Sequence, residues 1–128
     1  SERVRFFEQA VALYHGDFLK EDAFEEWSSY ERESMKENYL HAMIEIGNFH
    51  ADNGNMLDAV AYARKALEAD RVYEEGYELL FSILADNNHT TELSKAWKAC
   101  RISYQKELGT QPPRFLEKII LNNRSIPK

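Results

Sequence analysis

A chain of 128 residues with 44% hydrophobic and 30% charged side chains can bury one core but not two, and it lies well outside the low-hydrophobicity regime of disorder. A net charge of −6 disfavours a surface that grips a phosphate backbone, because such contacts need several clustered Lys or Arg. No apolar run approaches the roughly 18 residues of a membrane span, and Arg3, Arg5 and Glu8 interrupt the region where a signal peptide would be apolar, so the expected location is cytoplasmic.

The first predicted helix covers residues 4–14, where Val4, Phe7, Val11 and Tyr14 recur at three and four and Phe6, Ala10 and Leu13 widen the stripe. His15-Gly16-Asp17 ends it, and a loop carrying Phe18 and Leu19 follows. Asp22 with Glu25 fits a capping box and starts a second helix about there. Its stripe of Phe24, Trp27, Tyr30, Met35, Tyr39, Met43, Ile46 and His50 predicts a length of roughly 30 residues.

Asn53-Gly54-Asn55 stops that helix and starts the next, with Gly54 suited to a left-handed cap and Asn55 to an N-cap. The third helix, Met56 to Ala69, places Ala59, Ala63 and Ala66 on one face, where small side chains allow close helix approach. A fourth helix spans 73–85 through Tyr77, Leu80, Phe81 and Leu84, and Asp86-Asn87-Asn88 supplies a turn that tolerates positive φ. Thr90 or Thr91 is expected to cap a fifth helix over 92–108, buried through Leu93, Ala96, Trp97, Cys100 and Tyr104 and closed by Gly109. After Pro112-Pro113 a short helix, Arg114 to Leu121, is expected to dock as a cap through Phe115, Leu116, Ile119 and Ile120. The last seven residues read as frayed.

Residues 40–73 and 74–107 match at a 34-residue offset. Met43, Ile46, Gly47, His50, Gly54, Ala59, Ala63 and Ala66 fall where Tyr77, Leu80, Phe81, Leu84, Asn88, Leu93, Trp97 and Cys100 follow. That period belongs to stacked helix-turn-helix units, which present surfaces to partners. The expected domain is 1–128, with an irregular first unit 1–39, repeats 40–73 and 74–107, and a capping helix 112–122. Met43, Ile46, Gly47, Gly54, Ala59 and Ala66 resemble the tetratricopeptide repeat pattern, while His50, Arg71, Phe81 and Gln105 depart from it. The fold class implied is all-α, a tetratricopeptide-like antiparallel helix-pair stack of about six helices.

A narrower resemblance covers nearly the whole chain. The segment Leu13-Tyr14-His15-Gly16-Asp17-Phe18-Leu19, then Glu26-Trp27 followed by Glu31-Arg32-Glu33, then Glu107-Leu108-Gly109 before a proline, is similar to the bacterial transcriptional activation domain. In that family the domain accompanies a DNA-binding domain, in antibiotic-pathway activators and in some response regulators. The resemblance implies an effector module that performs no chemistry and contacts protein: its own DNA-binding domain, another copy in a homodimer, or the transcription machinery. A free-standing repeat adaptor unconnected with transcription is the alternative. A small-molecule sensor with an aromatic pocket near Phe18, Trp27 and Tyr30 is another.

In a repeat stack the first helix of each unit lines the inner surface. The positions placed there are His41, Ile44, Asn48, Asp52, Glu75, Glu78, Ser82 and Asp86; half are acidic and none is Lys or Arg, so the groove suits a basic or polar segment. Between Lys95 and Lys106 the bases Lys95, Lys98 and Arg101 occur without an acid, with Trp97 and Tyr104 interleaved. Helical spacing puts the aromatics on the apolar stripe, so the bases form a solvated face or a docking face for an acidic protein rather than a nucleic-acid face. His41 and Glu45, even with His50 and Asp52 nearby, are too few for a metal site, and the carboxylates near Glu21 and Glu25 have no convergent His, Ser or Lys for acid-base work. No metal and no cofactor are expected. Cys100, the only cysteine, is expected to be a buried thiol. Acid is concentrated early, with 13 acidic and 6 basic side chains in residues 1–64.

Overall fold

The computed structural model describes residues 28–122, and these contain five helices and no strand. They are α1 (Ser29–Asp52), α2 (Met56–Ala69), α3 (Glu74–Asp86), α4 (Thr90–Leu108) and α5 (Arg114–Leu121). The predicted first helix at 4–14, the Asp22 and Glu25 box, and the final residues lie outside the described residues.

The start of α1 differs from the sequence expectation. Ser28 is the N-cap in an extended conformation; its hydroxyl accepts from the Glu31 amide at 3.1 Å, and Glu31 Oε1 accepts the Ser28 amide at 3.1 Å. This reciprocal pair satisfies amides that a helix begun near Asp22 and continuing through Ser28 would have bonded internally. Ser28 therefore caps the start of α1, and its backbone hydrogen bond holds the Glu31 carboxyl below the usual range. Tyr30, the second residue of the helix, is 81% exposed and does not belong to the buried stripe, which begins at Tyr39 and Leu40.

The turns follow residue chirality. Gly54, Asn88 and Gly109 adopt φ of 76°, 57° and 66°, the left-handed region that Gly and Asn enter at least cost. Asn55 occupies the expected cap position of α2 but makes no side-chain cap bond. His89, not Thr90 or Thr91, is the N-cap of α4; both threonines lie inside the helix, because the Asn88 turn is followed by a single residue before helical geometry resumes.

Between α2 and α3, Arg71 stands where a tetratricopeptide pattern prefers proline, and side chains hold the connection instead. Asp70 Oδ1 accepts the Val72 amide at 3.1 Å, Tyr77 donates to the Arg71 carbonyl at 2.7 Å, and Tyr104 donates to the Val72 carbonyl at 3.0 Å. Burial raises both tyrosine hydroxyls above their ordinary pKa and keeps them protonated as donors.

The core centres on α3. Seven of its 13 residues are buried, with Phe81 fully so, and it packs against α1, α2, α4 and α5. Phe81 meets Tyr77 at 5.5 Å and the edge of Trp97 at 6.1 Å, and Trp97 itself is only half-buried. Ala59, Ala63 and Ala66 of α2 are fully buried, as small residues at a close approach should be. Leu116 and Ile120 of α5 pack into the core with Ile119 at its margin. Phe115, expected to dock with them, stays 40% exposed at the flank of this short amphipathic helix.

Phe81→Ala is expected to cost about 3–5 kcal/mol, close to the whole stability of a small domain, whereas Phe115→Ala should cost under about 1 kcal/mol; urea titration of both variants measures this. Cys100 is buried, and desolvation pushes its thiol up to about 12 from 9.0. The folded thiol keeps its proton where the unfolded chain has lost it, so its contribution to stability is present below about pH 9 and falls as pH rises towards 12. Cys100 should therefore resist a thiol reagent at pH 8 until denaturant unfolds the domain, and the urea midpoint should drop above pH 9 less steeply in Cys100→Ala than in the parent chain.

Candidate functional site

The buried side of α3 is used by its neighbours, leaving one stripe of that helix in contact with solvent. Glu75, Glu78 and Ser82, spaced at three and four, lie on it and face the α1 residues Ile44 and Asn48 across an open cleft of about 450 Å³. Five of the eight positions expected on an inner groove thus share one concavity. Glu75, Glu78 and Asn48 are exposed at its margins, while Ile44 and Ser82 are half-buried.

Leu79 completes the lining, and sequence reasoning missed it. The available signal was its place between Glu75 and Ser82, one helical turn from each, on the same stripe. Its position depends on Gly47 of α1: a Cβ there would stand 2.6 Å from Leu79 Cδ2 and 3.5 Å from Tyr62 Cβ, so glycine is what allows α1 and α3 to close at this level. The cleft therefore has an aliphatic floor of Ile44 and Leu79, two carboxylates, an amide and a hydroxyl. No Lys or Arg lines it.

The other three expected residues lie elsewhere. Asp52 and Asp86 are the last residues of α1 and α3, both exposed at the helix ends beyond the cleft. His41 is an exposed surface residue 3.7 Å from Glu45 on the same helix. His50 stacks on Tyr62 at 5.5 Å and meets Phe49 edge-on at 5.7 Å, as a core-edge aromatic. Among the described residues no group of three or more His, Cys, Asp or Glu is placed to hold a metal.

Lys95, Lys98 and Arg101 are all exposed on α4, and Lys95 Nζ is 4.0 Å from Glu92 Oε1. Arg101 borders a shallow depression with Ile102, Gln105, Lys106 and Gln111. Cys100 and Tyr104 turn inwards and Trp97 partly so, which separates the aromatics from the bases as their spacing requires. Phe18 and Trp27 of the expected aromatic pocket lie outside the described residues, and Tyr30 projects into solvent. Among the described residues no helix is long and apolar enough to cross a membrane.

The described residues thus form an all-helical domain whose α1–α3 cleft has an apolar floor bordered by two carboxylates. The family model for the bacterial transcriptional activator domain matches residues 1–120, and the chain belongs to that family. No curated protein and no solved structure matches the chain. The family is one of transcription-regulator domains, which accords with the resemblance carried by Tyr14 to Leu19 and Trp27.

Because Glu75 and Glu78 are exposed and make no ion pair among the described residues, Glu75→Gln and Glu78→Gln should each shift stability by no more than about 0.5 kcal/mol, as thermal unfolding would read out.

Proposed function

We propose that this domain is the interaction module of a bacterial transcription regulator and that its α1–α3 cleft receives a basic or polar segment. The segment belongs to the DNA-binding domain of the same polypeptide, to a second copy, or to the transcription machinery. The observation that carries the reading is the lining of the cleft: two carboxylates and two polar groups around Ile44 and Leu79, with no cation. A Lys or Arg side chain laid across it gains charge complementarity at the rim while its alkyl stem covers the floor. In this reading residues 40–73 and 74–107 are two units of a tetratricopeptide-like stack and Arg114–Leu121 closes it. The domain acts by contact and not by chemistry, setting whether the regulator assembles at a promoter. The exposed bases Lys95, Lys98 and Arg101 supply a second face for an acidic protein surface.

The test is double charge reversal, Glu75→Lys with Glu78→Lys. Self-association of the domain, or its binding to the remainder of its polypeptide, should weaken at least about tenfold, and promoter output should fall with it. Binding by the parent domain should also weaken as salt rises from 50 to 500 mM. Unchanged binding and output in a folded double variant would refute the cleft as the docking surface. A parent domain that neither self-associates nor binds the rest of its chain would refute the docking mechanism itself.

A further inference from the structure

The outer face holds a different concavity. The second helices of the two repeats, α2 and α4, barely touch each other; each packs instead on α3. Where they diverge, Ala99 and Ser103 of α4 are too small to fill the gap, and a pocket of about 280 Å³ remains with Leu67 and Leu80 on its apolar side. Arg64 of α2 and Arg71 of the α2–α3 connection both line it.

These two guanidinium groups are incompletely neutralised. Arg71 has no ion-pair partner among the described residues, and the Tyr77 hydroxyl fixes its backbone by donating to its carbonyl at 2.7 Å. Arg64 reaches only Glu92, at 4.0 Å, and the other oxygen of that carboxylate is 4.0 Å from Lys95. One carboxylate is thus shared by two cations at the limit of contact. Among the described residues Glu68 is the one acid in the pocket lining, and no base lies within ion-pair distance of it.

We propose that this pocket binds a small organic acid, with an apolar body of one ring or a short chain against Leu67 and Leu80 and a carboxylate on Arg71 and Arg64. A predominantly apolar lining with a few polar groups is the usual make-up of a small-molecule site, and a volume just below the usual range of about 300–1,000 Å³ limits the ligand to a small one. Guanidinium is suited to a carboxylate because its planar fork donates two parallel hydrogen bonds. Glu68 opposes the ligand's charge and holds affinity down. No residue of this pocket lines the α1–α3 cleft, so the site is independent of protein docking there.

Titration of the full 128-residue chain with hexanoate, followed by the methyl resonances of Leu67 and Leu80, tests the assignment. Saturable shifts are expected below roughly 10 mM. Arg71→Gln should weaken binding at least about tenfold, Glu68→Gln should tighten it several-fold, and Ala99→Leu should abolish it by filling the gap. Circular dichroism melting of each variant verifies that the fold is retained. Hexanol, which lacks the charge, and sulfate, which lacks the apolar body, should each bind at least about tenfold more weakly than hexanoate. Absence of saturation, equal binding of hexanol or sulfate, or shifts that persist in folded Ala99→Leu or Arg71→Gln would overturn the proposal.

Discussion

Everything described here depends on the burial of α3. This helix of 13 residues contacts all four of the others, and its centre, Phe81, has no exposure to solvent. A helix enclosed so completely must be apolar around most of its circumference, and Tyr77, Leu79, Leu80, Phe81, Ile83 and Leu84 make it so. What remains polar is confined to a strip containing Glu75, Glu78 and Ser82. The acidic cleft is the solvent-facing remainder of the helix that forms the core, so its chemistry and the stability of the domain are set on opposite faces of the same element.

The two segments that match at a 34-residue offset pack with different side-chain sizes. Gly47, Ala59, Ala63 and Ala66 in the first unit are small, and they draw α1 and α2 together, with Gly47 also admitting Leu79 from the next unit. At the corresponding positions the second unit has Phe81, Leu93, Trp97 and Cys100. With these larger residues α3 and α4 approach each other less extensively than α1 and α2, as expected where added volume cannot be absorbed by a close-packed interior. Small side chains on the outer part of α4, Ala96, Ala99 and Ser103, do not refill the space this opens towards α2. Sequence divergence between the copies thus creates a concavity that two identical copies would not be expected to have.

Much of this was legible in the residues, and what was not has identifiable causes. Helix ends at Gly54, Asn88 and Gly109 were readable because positive φ is a local steric matter that few residues tolerate. The start of α1 was not, because Asp22 with Glu25 and Ser28 with Glu31 offer the same capping pattern and nothing local ranks them. The cleft was readable in its middle, where three-and-four spacing on α1 and α3 brings Ile44, Asn48, Glu75, Glu78 and Ser82 together. It failed at the ends because a stripe runs the length of a helix while a cleft extends only as far as two helices stay close. The outer pocket had no sequence signal: Ala99 and Ser103 read as ordinary surface positions, and the gap beside them arises from where α2 and α4 diverge.

The distribution of charge follows from this division of faces. Acidic groups gather where α1 and α3 meet solvent, and the exposed bases Lys95, Lys98 and Arg101 gather on α4, away from the cleft lining. At physiological ionic strength the Debye length of about 8 Å is short compared with a helical domain, so each face acts on a partner by its own charge and the net value of −6 governs neither. A basic segment therefore meets attraction at the inner cleft, and the bases of the outer face repel it without cancelling that attraction. If both surfaces are used as proposed, local fields of opposite sign on separate parts of the domain would favour a basic partner at one and an acidic partner at the other without any additional contact.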